Sequence, residues 1–158
     1  MSEDTYTVER SATIDAPPER VYPQVADFHR WTAWSPWEDV DPDLRRTYSG
    51  AESGTCAVYR WAGNRKAGAG RMEITAATEP SLVRIDLDFE KPWKAHDNTE
   101  FDIRPEGSGS RVTWSMTGKK SFVTKVMGIF TSMDALLGPD FEKGLARFKA
   151  TAETSGAS

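Results

Sequence analysis

The sequence predicts an α+β protein in which a seven-stranded antiparallel sheet packs its apolar face against a long C-terminal helix. Three observations indicate this architecture: two-residue alternation of apolar residues near the N-terminus, strand after strand with turn signals from 44 to 118, and helical periodicity after that. No repeat or linker divides the chain. We therefore expect one domain over residues 1–154 and a disordered tail at 155–158.

The N-terminal elements are a strand and two short helices. Residues 5–14 alternate between an apolar face that includes Tyr6 and a polar face, with Arg10 as the exception, which is typical of a half-buried strand. Asp15 can cap a following helix. Pro23 removes a hydrogen bond inside that helix, so we expect the helix to be short or kinked. A second short helix is predicted to end near Trp34.

Six further strands are predicted between Leu44 and Gly118, because glycines and prolines punctuate short apolar segments there. They cover residues 44–49, 55–62, 67–78, 82–90, 94–104 and 110–118. The segment 82–90 is the clearest, since apolar and charged residues alternate strictly along it. Connections of hairpin length predict an antiparallel meander.

The final segment has a helical period. Two apolar stripes follow Gly118, and Pro139 is predicted to begin the helix that carries the second. The first stripe is Phe122, Val126, Ile129, Phe130 and Met133. The second stripe is Phe141, Leu145, Phe148 and Ala152.

Composition argues against several functional classes. A net charge of −4 argues against a general nucleic-acid binder. The one cysteine, Cys56, is expected to be a structural thiol, and two histidines without ligand spacing predict neither a metal site nor a cofactor. The charged start and the lack of a long apolar run predict a cytoplasmic protein without stable membrane insertion. Both a monomer and a homodimer are compatible with the sequence.

Four segments together are similar to a known family. They are IDAPPERVYPQVADFHRWTAWSPW after the first strand, YSG…GTCAVYRWAGNRKAGAGRMEIT, VTWSMTG in the last strand, and GPDFEKGLARFK in the last helix. With them the chain resembles the START-like (SRPBCC) superfamily, particularly its polyketide cyclase/dehydrase branch. The resemblance implies a helix-grip fold, in which the curved sheet wraps the last helix and leaves an apolar cavity. It leaves the activity open, since the family includes cyclases, dehydratases and lipid carriers.

Strand parity and the resemblance together predict which side chains line that cavity. Large apolar side chains on the inward faces fit a site for a hydrophobic ligand, although each of them can equally fill a core. The predicted ligand-binding residues are Trp34, Trp37, Tyr59, Trp61, Met72, Phe89, Phe101, Trp114, Met116, Phe130, Met133 and Phe141. Gly70 is a candidate for leaving space in the cavity, or for close backbone packing. The segment WTAWSPW at 31–37 forms either the cavity rim or a core plug.

Candidates for proton transfer are few. Asp97 has inward parity, and a carboxyl group in an apolar pocket would have a raised pKa and could act as an acid. Tyr59 and His29 are the other catalytic candidates. His96 shares the parity of polar neighbours and is expected to face solvent.

Three functions remain open. The first is binding of a small hydrophobic or amphipathic molecule between the sheet and the C-terminal helix. The second is a polyketide cyclase, aromatase or dehydratase that uses the same cavity. The third is a protein-interaction module, which would require an exposed apolar patch near the tryptophans.

Overall fold

The computed structural model describes residues 5–35, 43–64, 68–91, 95–119 and 133–155. Within these ranges it leaves out the side chains of 5, 95, 119, 133–137 and 154–155. The strands are β1 Thr5–Ile14, β2 Arg45–Gly50, β3 Ala57–Ala62, β4 Ala69–Thr78, β5 Leu82–Lys91, β6 Ala95–Glu106 and β7 Gly109–Lys119. The helices are α1 Pro18–Ala26, a 3-10 helix Phe28–Ala33, and α2 Met133–Ser155.

All seven strands form one antiparallel sheet in the order β1-β7-β6-β5-β4-β3-β2. The predicted fold class is therefore confirmed. The predicted strand at 55–62 began too early, because Cys56 lies in a turn with a φ of 80° and is exposed. In that turn Ala57 N–H donates to the carbonyl of Gly54 at 3.1 Å, and Cys56 N–H donates to the carbonyl of Ile74 at 2.8 Å.

The first helix starts differently from the prediction. Pro17 is the residue before α1 and Pro18 occupies its first position, where a missing amide donor costs nothing. Asp15 does not cap the helix, so that prediction was wrong. Its backbone N–H instead donates to the Glu153 carboxylate on α2 at 2.8 Å. Pro23 lies inside α1, which is short as expected.

Two tryptophan side chains donate hydrogen bonds to carbonyls at the C-terminal end of α1. The last carbonyls of a helix lack partners within it and need donors from elsewhere. The Trp31 indole N–H donates to the carbonyl of Val25 at 2.8 Å, and the Trp34 indole N–H donates to the carbonyl of Gln24 at 3.0 Å. The 3-10 helix thus folds its tryptophans back onto α1, and both rings are buried.

Helix α2 begins at Met133 and continues through Pro139, so the predicted start at Pro139 was wrong. A proline inside a helix removes only one intrahelical hydrogen bond, and apolar packing of the following turns outweighs that loss. The second predicted stripe is buried along its whole length. Its residues are Phe141, Leu145, Phe148 and Ala152.

Two polar contacts fix the position of α2 along β1. Arg10 Nε donates to a Glu142 carboxylate oxygen at 2.9 Å, and Asp15 N–H donates to Glu153. Eleven helical residues rise about 16 Å, and five strand residues span about the same length. The helix and strand therefore run side by side in the same direction over three helical turns. Gly138 allows Arg10 to pass, since a Cβ there would lie 2.2 Å from Arg10 Nη2.

Candidate functional site

The inner face of the sheet is unevenly buried. It packs against α1, the 3-10 helix and α2. Along β5, Val83 and Ile85 are 0% and 1% exposed, whereas Leu87 and Phe89 on the same face are partly exposed. All four side chains point to the same face of the sheet, so the difference in their exposure reflects their position along the strand. One end of the inner face is filled, and the end near the β3–β4 and β5–β6 connections is more open.

The filled end is a cluster of stacked aromatic rings. Phe101 and Trp114 stack at 5.0 Å between ring centroids, and Trp114 stacks on Phe141 at 4.1 Å. Trp34 meets Phe101, Trp114 and Phe148 edge to face at 5.0–5.9 Å. These rings are at most 2% exposed. Four predicted ligand-binding residues, Trp34, Phe101, Trp114 and Phe141, therefore lie in a packed core, where a ligand could reach them only if a ring moved.

The open end carries a second aromatic group, which we call the aromatic strip: Tyr48, Tyr59, Trp61 and Phe89. Successive ring centroids are 5.4, 6.2 and 5.9 Å apart. Tyr59 is 9% exposed and the other three are partly exposed. Three of the four were predicted to bind ligand, and the structure brings them into one continuous surface.

Gly70 supports the strip instead of leaving space in it. A Cβ at Gly70 would lie 2.4 Å from Cη2 of Trp61 and 2.6 Å from the carbonyl oxygen of Asp88. The Trp61 indole thus lies directly against the Gly70 backbone and contacts Phe89 on the next strand. Of the two alternatives for this glycine, the structure shows close packing.

A row of inner-face residues, one from each strand, crosses the whole sheet. It shares Tyr48 and Tyr59 with the strip. Cross-strand pairing in register connects them without a gap. From β2 to β1 the row reads Tyr48, Tyr59, Met72, Leu87, Asp97, Gly118 and Tyr6. We call it the transverse row. It is apolar or aromatic except at Asp97 and at the hydroxyl groups of its tyrosines.

Asp97 is the buried charged group of this row. It is 2% exposed, and its Oδ1 accepts a hydrogen bond from the Tyr6 hydroxyl at 2.9 Å. Gly118 makes room for this contact, because a Cβ there would lie 1.9 Å from Asp97 Oδ1 and 2.6 Å from the Tyr6 oxygen. Burial raises the pKa of Asp97, and the Tyr6 hydrogen bond and the nearby His96 oppose that shift. Burial and the Asp97 charge raise the pKa of Tyr6 as well.

The three catalytic candidates are not assembled into one constellation. His29 is exposed on the 3-10 helix, with Nδ1 2.8 Å from Asp27 Oδ1 and its ring stacked on Tyr48 at 4.0 Å. Tyr59 adjoins Tyr48 on the other side. Asp97 lies three strands away from Tyr59 in the sheet order. Its catalytic role, like that of the other two, stays a prediction.

His96 faces the outer side of the sheet, as expected. Its Nδ1 lies 2.6 Å from Asp88 Oδ1, and this hydrogen bond raises the pKa of His96. The two other predicted ligand contacts on the sheet, Met72 and Met116, are 9% and 5% exposed on the inner face. Trp37, Phe130 and the Met133 side chain lie outside the described residues.

Sequence reasoning missed three contributors to this face. Tyr6 was assigned to the apolar side of β1, but its contact with Asp97 depends on the registers of β1 on β7 and of β7 on β6. Gly118 was taken only as the end of the last strand. Tyr48 is the outermost ring of the strip, and its alternation with Thr47 and Ser49 was the signal that could have identified it.

The part of the chain that the structure describes contains no group of three or more histidine, cysteine, aspartate or glutamate side chains placed to hold a metal ion. None of the described helices is long and apolar enough to cross a membrane. An open groove of about 430 Å³ lies at the end of the sheet opposite the strip. Its lining includes Pro17, Pro18, Pro80 and Pro105, and none of the predicted site residues lines it.

Comparison with known proteins agrees with this geometry. A family model described as polyketide cyclase / dehydrase and lipid transport matches residues 5–153. A search of curated proteins found no match.

Solved structures resemble the chain over nearly its full length. Protein CV1439 from Chromobacterium violaceum has a TM-score of 0.66 at 12% identity, covering 93% of this chain and 96% of that one. Protein Ms6760 from Mycobacterium smegmatis has a TM-score of 0.65 at 18% identity, covering 94% and 92%. The Aha1 dimer from Colwellia psychrerythraea has a TM-score of 0.65 at 15% identity, covering 94% and 96%. At these identities the likeness shows the fold alone.

Proposed function

The chain belongs to the polyketide cyclase / dehydrase and lipid transport family, and from that premise we propose that it binds a small hydrophobic or amphipathic molecule on the aromatic strip. The observation that carries the proposal is the burial gradient along one face of β5. Val83 and Ile85 are closed by core packing, while Leu87 and Phe89 keep part of their apolar surface accessible. A ligand seated there would cover that surface.

The strip has the chemistry of a binding surface for apolar groups. Covering apolar area stabilises a complex by about 25 cal/mol per Å², before the costs of ordering are subtracted. Aromatic rings offer large areas with few rotatable bonds, so little entropy is lost when they are covered. Gly70 holds the Trp61 ring close to the sheet, which leaves the strip preorganised.

The proposal predicts that Trp61→Ala weakens binding of a neutral apolar dye such as N-phenyl-1-naphthylamine. Loss of one indole face should raise the dissociation constant about tenfold or more, because a large ring contributes at least ~1.4 kcal/mol. Fluorescence titration measures the change. Val58→Ala is the matched control, since Val58 lies on the same strand with outward parity.

The native protein and the Val58 control should bind the dye equally. Failure of the native protein to take up the dye, or equal uptake by the Trp61 variant, would contradict binding at the strip. Circular dichroism of each variant checks that the fold is kept.

A second candidate function is catalysis of the cyclase or dehydratase type, and the buried Asp97 favours it. A carboxyl group with a raised pKa beside an apolar surface can exchange protons with a bound substrate. Asp97→Asn should then abolish turnover of a polyketide mimic while leaving dye binding unchanged. Turnover that survives this substitution rejects Asp97 as the acid.

Three further attributes, carried over from the sequence, are part of the proposal. The partner is a small hydrophobic ligand, the protein works in the cytoplasm, and it acts as a monomer or homodimer. Binding through a protein partner at the tryptophan segment is the weaker alternative, because Trp31 and Trp34 are 6% and 0% exposed. The third ring of that segment, Trp37, is outside the described residues.

A further inference from the structure

The transverse row places one buried carboxylate beside an otherwise apolar surface. Asp97 pairs across the strands with Leu87, so their Cα atoms are about 5 Å apart. Phe89 is the diagonal neighbour, roughly 7–8 Å away, within reach of a long or aromatic side chain. Asp97 is 2% exposed, so the amine of a molecule lying over Phe89 and Leu87 would reach its carboxylate once the side chains that cover it move aside.

We propose that the ligand is an organic cation whose protonated amine pairs with Asp97 while its apolar body covers the aromatic strip. This inference rests on the proposed function, and it names the chemical class of the ligand. A neutral hydrocarbon would leave the carboxylate uncompensated, and a carboxylate-bearing ligand would be repelled by it.

The charges around Asp97 favour this choice. A buried carboxylate is costly unless it is paired and hydrogen-bonded. Among the residues that the structure describes, the charged groups that act on Asp97 are His96 and Asp88, both with outward parity and paired with each other. On the inner face Asp97 accepts a hydrogen bond from Tyr6, which is neutral. A ligand ammonium group on that face would supply the compensating charge.

The remaining features of the site also suit a cation. A carboxylate has about four lone-pair positions, so Asp97 can accept from Tyr6 and from an ammonium group at once. Charge-assisted hydrogen bonds are about twice as strong as neutral ones. The faces of Trp61 and Phe89 attract positive charge through their ring quadrupoles. The protein's net charge of −4 also favours approach of a cation.

The test compares two ligands that differ only in the charged group: 2-(2-naphthyl)ethylamine, protonated at neutral pH, and 2-(2-naphthyl)ethanol. Isothermal titration calorimetry on the native protein should show the amine binding about tenfold more tightly, equivalent to one charge-assisted hydrogen bond. This comparison needs no substitution, so it stands even if a variant fails to fold.

Substitution then locates the source of the preference. Asp97→Asn keeps the shape and an acceptor for Tyr6, and it should reduce the amine preference to less than about twofold, because the amide carries no charge that distinguishes the amine from the alcohol. Asp102→Asn is the control, because it removes one negative charge from the outer side of the same strand. It should leave the preference unchanged.

The outcomes separate the two proposals. Equal binding of both ligands by the native protein overturns the cation inference and leaves strip binding intact. An amine preference that survives Asp97→Asn, or that Asp102→Asn removes equally, also overturns it. If neither naphthyl compound binds, the strip is not the binding surface and both proposals fail.

Discussion

At the scale of single residues, the sequence located Asp97 on the correct face but could not identify its partner. Alternation along β6 assigns it the parity of Thr99 and Phe101, and all three are buried. Its hydrogen bond to Tyr6 joins residues 91 positions apart and depends on the register of β1 on β7, which no short turn fixes. Parity can therefore be predicted from a local pattern, whereas a cross-sheet contact requires the assembled sheet.

The raised pKa of Asp97 gives a pH-dependent contribution to stability. The folded protein holds the Asp97 proton more tightly than the unfolded chain, whose carboxyl titrates near 3.8. The free energy of unfolding should therefore fall as the pH rises from about 4 through the folded pKa. Asp97→Asn removes this pH dependence, so the stability of the variant relative to the native protein should rise over the same pH range.

Urea unfolding of both proteins from pH 4 to pH 8 measures the difference. Tyr6, His96 and Asp88 also act on Asp97, and they are present in both proteins, so subtraction isolates the carboxylate. A difference that does not change with pH would show that the amide alters packing or hydrogen bonding, and would contradict a role for the charge.

At the scale of elements, the tryptophan segment explains how a helix interrupted by proline is held in place. Trp31 and Trp34 donate to the final carbonyls of α1 and present their rings to the core. The sequence offered a core plug or a cavity rim for this segment. The described part of it, through Ser35, is buried at both tryptophans and forms a plug.

Trp34→Ala should lower the free energy of unfolding by about 3–5 kcal/mol, because it leaves a large cavity and removes the donor to the carbonyl of Gln24. Thr32→Ala on the same 3-10 helix is exposed and should change stability by less than about 0.5 kcal/mol. Denaturant unfolding followed by circular dichroism measures both values. Comparable effects of the two substitutions would show that Trp34 does not anchor this helix.

Two element boundaries were predicted incorrectly, because the local sequence signal did not reflect the tertiary packing. Pro139 and the preceding Gly138 read as a helix start, yet α2 begins six residues earlier. Gly138 does not mark a helix start; its lack of a side chain leaves room for the Arg10 guanidinium. Cys56 had the alternation of a strand, but its left-handed backbone and the hydrogen bond from its N–H to Ile74 place it in a turn.

At the scale of the whole molecule, the order of elements determined the architecture. One strand, two short helices, six hairpin-linked strands and a final helix permit few arrangements, and the meander from β2 to β7 follows from its short connections. The division of the inner face into a packed cluster and an open strip could not be predicted. The apolar residues of both parts share one parity, and only the position of the covering helices distinguishes them.

The position of β1 has a consequence for how the protein is made. The first strand of the chain pairs with β7, the last strand, whose residues are synthesised about a hundred positions later. At roughly 5–20 residues per second, β1 waits on the order of 5–20 s on the ribosome before its partner emerges. During that interval its half-apolar strand has an unpaired edge, which makes it the segment that a chaperone would need to cover.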